Sequence, residues 1–129
     1  MNTKVFYELW QMECCGEPFK IGDSIEWHVF KAELLIRPLD IDGLEYVYDA
    51  HFDEWDGIYT LKGIVKGISI YYEKYKMIEC KPHGMMVPIR EINDSVQSES
   101  SHIEERDRNG LKVSGYTVEL DEVTVRPAK

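Results

Sequence analysis

Apolar residues recur along most of this chain at a spacing of two, the period of a strand with one buried face. Val5–Met12 is rich in β-formers and apolar on both faces, which predicts a buried strand. Gly16 and Pro18 then mark a turn. Phe19 and Ile21 lead into Gly22-Asp23, and Ile25, Trp27 and Val29 follow on one face of a second strand. Phe30–Ile36 is ambiguous between strand and a helical turn, and Pro38 stops anything longer. Leu44, Tyr46, Tyr48, Ala50 and Phe52 share the phase of a further strand, punctuated by Asp42-Gly43 and Asp56-Gly57.

Ile58–Tyr72 is the longest β-type run, with Gly63 and Gly67 inside it as expected sites of bulging or sharp coiling. Glu73–Cys80 continues that strand or returns as another. Pro82-His83-Gly84 reads as a turn and Met85–Ile89 as an edge strand. Asn93–Gly110 is polar and rich in Ser and Glu, with only Val96 and Ile103 as anchors, and reads as a flexible loop. Val113–Val125 closes the chain as a bulged strand or strand pair. Tyr116, Val118 and Leu120 share a face, and the phase flips at Asp121-Glu122. Long 3.6-period segments are few. The expectation is therefore one all-β or mainly β domain over residues 1–129, a small SH3-like or OB-like barrel with a long polar loop at 93–110.

Composition narrows the function. The 129 residues are 43% hydrophobic and 30% charged, within the range of ordinary globular domains. No apolar run approaches the roughly 20 residues that cross a bilayer as a helix. The net charge of −9, with basic residues scattered apart from Lys62, Lys66, Lys74 and Lys76, repels phosphate backbones and anionic surfaces. Neither nucleic acid nor membrane is expected as a partner. The opening residues lack an apolar export core, and three cysteines are an odd number, so the reading is a cytoplasmic protein with free thiols.

The block Trp10-Gln11-Met12-Glu13-Cys14-Cys15-Gly16-Glu17-Pro18-Phe19, with Gly22-Asp23 and Trp27 after it, resembles the opening of a family of small bacterial proteins of unknown function. That family opens with Trp-Gln-x-x-Cys-Cys-Gly-x-Pro-Phe and a Gly-Asp-x-x-x-Trp strand. The likeness covers the first quarter of the chain, with weaker agreement at Gly115-Tyr116. It implies kinship and carries no activity or catalytic residue with it.

Two chemistries compete at the cysteines. Cys80-Lys81-Pro82-His83 is a Cys-x-x-His pair with turn residues between, as half of a zinc site needs, and Cys14-Cys15 would supply the other half. Against this, adjacent cysteines point apart on an extended chain, and structural thiols with no cofactor are the simpler reading. A redox role would need a lowered thiol pKa, for which no residue pattern speaks. The acidic turns at Asp40-x-Asp42-Gly43 and Asp53–Gly57 lack the complete calcium loop. No nucleophile, metalloprotease or phosphate-loop motif accompanies His28, His51, His83 or His102. The aromatics are mostly core residues, with Trp27, Trp55 and Tyr72 as candidates to line a groove. The function expected is binding of a protein or peptide partner, a basic one suiting the acidic surface. Homodimerisation through an exposed strand edge is a further option for such a sheet.

Overall fold

The computed structural model describes residues 2–14, 16–34, 41–49, 57–80, 84–103 and 107–127. Seven strands dominate: β1 (Thr3–Glu8), β2 (Ser24–Lys31), β3 (Leu44–Tyr48), β4 (Ile58–Cys80), β5 (Met85–Ser98), β6 (Asp107–Arg108) and β7 (Leu111–Pro127). A six-residue helix α1 (Leu9–Cys14) follows β1, and a 3₁₀ turn (Ala32–Leu34) follows β2. The strands form one sheet in the order β5-β4-β2-β3-β1-β7-β6, and β4 also pairs with β7. β4, β2, β3, β1 and β7 thus make a closed cycle of hydrogen-bonded neighbours. The protein is mainly β, as the alternating pattern predicts. The cycle is a ring of strands.

The ring encloses a core built from alternate residues of each strand. Val5 and Tyr7 of β1, Val29 of β2, Leu61, Val65, Ile68, Ile70 and Tyr72 of β4, and Tyr116, Val118 and Leu120 of β7 are buried together. The intervening Phe6, Val47 and Tyr71 form a smaller cluster, against which Phe30, Ala32, Ile41 and Leu44 pack. This explains why β1 is apolar on both faces: one face fills the ring and the other meets a covering segment.

Three register shifts let β7 follow β4, the last of them between Tyr71 and Tyr72. Ile64 pairs with Asp121 and Lys62 with Thr124, so two residues of β7 face the single residue Gly63. Glu122 there takes a left-handed φ of 52°. A Cβ on Gly63 would stand 3.2 Å from the Asp121 carbonyl oxygen, so the glycine makes room for the bulge. A second shift separates Val65 from Gly67. Both the glycine positions and the phase flip at Asp121-Glu122 therefore have the cause expected of them. At Gly115 the approach of β1 is closer still: a Cβ would lie 2.4 Å from the Tyr7 carbonyl oxygen and 2.9 Å from Phe6 Cζ.

Two segments depart from expectation, and a third settles between its two readings. The strand read over Val5–Met12 ends at Glu8, and Leu9–Cys14 turns into α1. Leu9 and Met12, three residues apart, both pack on the core, which is helical spacing. Glu73–Cys80 continues β4 without a turn. The polar stretch 93–110 has strand at both ends. Asn93–Ser98 pair with Ile68–Glu73, and Asp107–Arg108 pair with Leu111–Lys112. Val96 packs against the core from this segment. The backbone ladder to β4 needs no apolar side chain, so polarity alone did not announce the strand.

Candidate functional site

An aromatic cluster lies at one end of the ring core. Tyr7 is buried, and its ring stacks on Tyr48 at a centroid distance of 3.9 Å and an angle of 10°. Trp27 meets Tyr7 edge-on at 5.4 Å and Tyr48 at 5.7 Å. Phe19 closes the group, 5.2 Å from Trp27 and 5.6 Å from Tyr7. Edge-to-face and offset contacts of this kind add about 0.5–1.5 kcal/mol per pair beyond area burial.

Backbone pairing sets the positions. Val29 opposite Tyr48 brings β2 and β3 together, and Trp27 stands two residues before Val29 on the same face. Gln11 of α1 is buried and donates from Nε2 to the Tyr48 carbonyl oxygen at 3.3 Å. Phe19 is held by Ser101. The Phe19 amide donates to Ser101 Oγ at 2.9 Å, and the Ser101 amide donates to the Phe19 carbonyl oxygen at 2.8 Å. Tyr116 Oη in turn donates to the Ser101 carbonyl oxygen at 2.7 Å. A serine in the polar stretch thus anchors an aromatic wall.

The cluster opens on a cleft of about 440 Å³. Half-buried Trp27 and Tyr48 form its walls, Tyr7 and Phe19 its floor, and Glu17, Asp23 and Glu26 its rim. Burial holds the Tyr7 phenol far above its ordinary pKa, with hydrogen bonding to Tyr48 and the negative charge of Glu17 adding to it. Tyr7 is therefore a neutral group at physiological pH. Glu26 faces Lys62 at 3.5 Å and Arg126 at 3.9 Å, while Asp23 accepts from the Lys20 amide at 3.0 Å. Glu17 is exposed. A larger concavity of about 700 Å³ is lined by Lys4, Lys66, Gln97 and Thr117 among others, and none of its lining residues is aromatic.

This combination of β-ring and N-terminal aromatic block can be set against known proteins. The model of a family of unknown function, DUF6578, matches residues 1–122. The chain belongs to this family. No curated protein and no solved structure matches it. The chain is thus one of a family of unknown function, and the family assigns no activity to the cleft.

Of the residues expected to line a groove, Trp27 is in the cleft. Tyr72 is not: it is 4% exposed and belongs to the ring core. Its partners on β5 and β7, Asp94 and Val113, cover both edges of its strand. Trp55 lies outside the described residues, as do Cys15 and His83 of the candidate zinc set. Cys14 closes α1 and Cys80 closes β4. Among the described residues no three His, Cys, Asp or Glu side chains form a group able to hold a metal ion. No helix among them is long and apolar enough to cross a membrane.

Sequence reasoning did not pick out Tyr7 and Tyr48 as site residues. Tyr7 sits in a run apolar on both faces, where core and cleft look alike. The available signal was the density of aromatics at Tyr7, Trp27 and Tyr48 on successive strands, with Phe19 shortly before β2, which only strand pairing converts into one cluster.

Proposed function

We propose that this protein is a binding domain whose aromatic cleft takes a cationic side chain of a basic peptide or protein partner. One observation carries the reading: the Trp27 and Tyr48 rings, edge to face at 5.7 Å and 74°, line one cleft together with the carboxylates of Glu17, Asp23 and Glu26. A cation within about 6 Å of such ring faces gains roughly 0.5–2 kcal/mol from each, most where it is desolvated. The rings supply shape and quadrupole, and Glu17 supplies charge. The stacked Tyr7–Tyr48 pair, fixed by Gln11, keeps the wall in place before the ligand arrives, which limits the ordering cost of binding. The overall charge of −9 steers a basic partner toward the protein and speeds encounter at low salt. The odd number of thiols suits a reducing, cytoplasmic setting.

The test is titration of the labelled protein with a short Arg/Lys-rich peptide and with its Asp/Glu counterpart, followed by NMR. The basic peptide is expected to shift the Trp27 indole resonance saturably, and the acidic one to leave it in place. Trp27→Ala is expected to weaken the basic peptide about tenfold, the loss of a good aromatic contact. Equal response to both peptides, or binding that Trp27→Ala leaves intact, overturns the reading.

A further inference from the structure

Beyond Glu73, β4 leaves the ring. Its last pair with β7 is Glu73 with Lys112, whereas its ladder with β5 runs on from Lys74 to Cys80. Lys74–Cys80 and Met85–Ile92 thus form a two-stranded arm. Its large apolar side chains face solvent: Tyr75, Met77, Met85, Met86, Ile89 and Ile92 are 41–59% exposed. They occupy both faces, since Met77 pairs with Pro88 and Lys76 with Ile89 on alternate sides. A ribbon of two strands is marginal in water, and a third or fourth strand makes it stable.

The two long edges of the arm differ. The outer edge is β5, which carries Pro88, a residue that cannot donate to a further strand. The other edge is Lys74–Cys80, which contains no proline and pairs only with β5 among the described residues. We propose that this edge pairs with the same edge of a second copy, giving a two-fold antiparallel sheet of four strands centred on Met77.

Charge selects that register. A two-fold axis normal to the sheet sets each residue opposite one of equal parity, so each register is named by its central residue. Centring on Tyr75 opposes Lys74 to Lys76. Centring on Lys76 or Glu79 opposes each to itself, and like charges directly opposite are destabilising. Centring on Ile78 avoids this and uses only residues 76–80. Centring on Met77 uses all seven residues and opposes Lys74 to Cys80, Tyr75 to Glu79 and Lys76 to Ile78, with no like pair. The contact is smaller than the roughly 1,600 Å² of a standard interface, so the dimer dissociates on dilution. It shares no residue with the aromatic cleft.

Sedimentation velocity of the full chain from low to high micromolar concentration tests the proposal. The expected result is a monomer–dimer equilibrium that Met77→Lys abolishes, by placing two cations on the axis, while circular dichroism keeps the β spectrum. Ile92→Lys, on the far strand of the arm, is expected to shift the dissociation constant less than threefold. A chain that stays monomeric throughout overturns the proposal and leaves the arm to a partner of different sequence. Dimers that survive Met77→Lys place the contact elsewhere. Equal loss in both lysine variants shows face packing instead of edge pairing and also overturns it.

Discussion

The two halves of β4 both place apolar residues at alternate positions and end in different environments. Between Ile58 and Glu73 the strand has neighbours on both edges, β2 or β5 on one side and β7 on the other. Leu61 and Val65 there are fully buried. Between Lys74 and Cys80 it pairs with β5 alone among the described residues, and Tyr75 and Met77 stand 42% and 52% exposed. Burial is therefore a property of what the ring places around a strand. A period-two pattern says which residues share a face and says nothing about whether that face is covered.

The sharpest way to break this comparison is to truncate one apolar residue in each half. Leu61→Ala removes a fully buried side chain where neighbours cannot collapse and is expected to cost about 3–4 kcal/mol. Met77→Ala removes a half-exposed one and is expected to cost less than about 0.5 kcal/mol in dilute protein. Urea unfolding measures both. Similar losses in the two variants would mean that the arm is packed in solution at that dilution.

Gly115→Ala comes next. The added Cβ meets the Tyr7 carbonyl oxygen and Phe6 Cζ where β1 crosses β7, and backbone has little room to give. A loss of about 2–3 kcal/mol is expected in the same assay. An unchanged urea midpoint would show that β1 can move off β7 at no cost, against a rigid ring.

Glu73 marks the boundary between the halves. Its side chain is 1% exposed, neither carboxylate oxygen has a hydrogen-bond partner among the described residues, and Arg90 Nη1 stands 3.7 Å away. Attraction to a partly exposed arginine offsets only part of the desolvation of a buried carboxylate. Arg90 keeps a 3.3 Å hydrogen bond to Tyr71 Oη without it. Glu73→Leu is expected to raise stability by about 1 kcal/mol. A drop of similar size would show the carboxylate to be a structural lock at the base of the arm.

The same contrast explains what was legible in the sequence. The ring half announced itself, because alternation, the glycines at 63 and 67 and the flip at Asp121-Glu122 are local consequences of strand geometry. The arm did so only in part. Met85–Ile89 reads as an edge strand, which it is, and nothing in its composition tells that the ring stops short of it. Ser101 shows the converse, a residue in a polar stretch whose hydrogen bonds to Phe19 and Tyr116 build the core. α1 was hidden for another reason: residues 5–12 are continuously β-favouring, and contacts of Leu9 and Met12 with the core override that propensity. The cleft needed two strand pairings and the Phe19–Ser101 hydrogen bonds at once, so one of its aromatics, Trp27, could be singled out and its partners could not.

Tyr7 gives the finest test of the closed half, through pH. Its folded pKa is raised, first by burial and then by Tyr48, so the folded protein keeps the phenol proton where the unfolded chain, with a pKa near 10, loses it. The sign follows from linkage. Below about pH 10 both states hold the proton, and the contribution of Tyr7 to stability is fully present. Above it the unfolded state binds fewer protons, and stability falls by about 1.4 kcal/mol per pH unit. Tyr7→Phe keeps the ring stacked on Tyr48 and removes the proton, so this part of the slope is expected to vanish from urea midpoints measured between pH 10 and 11.5. Parallel slopes for the two proteins would mean that water reaches the phenol and that the floor of the cleft is open.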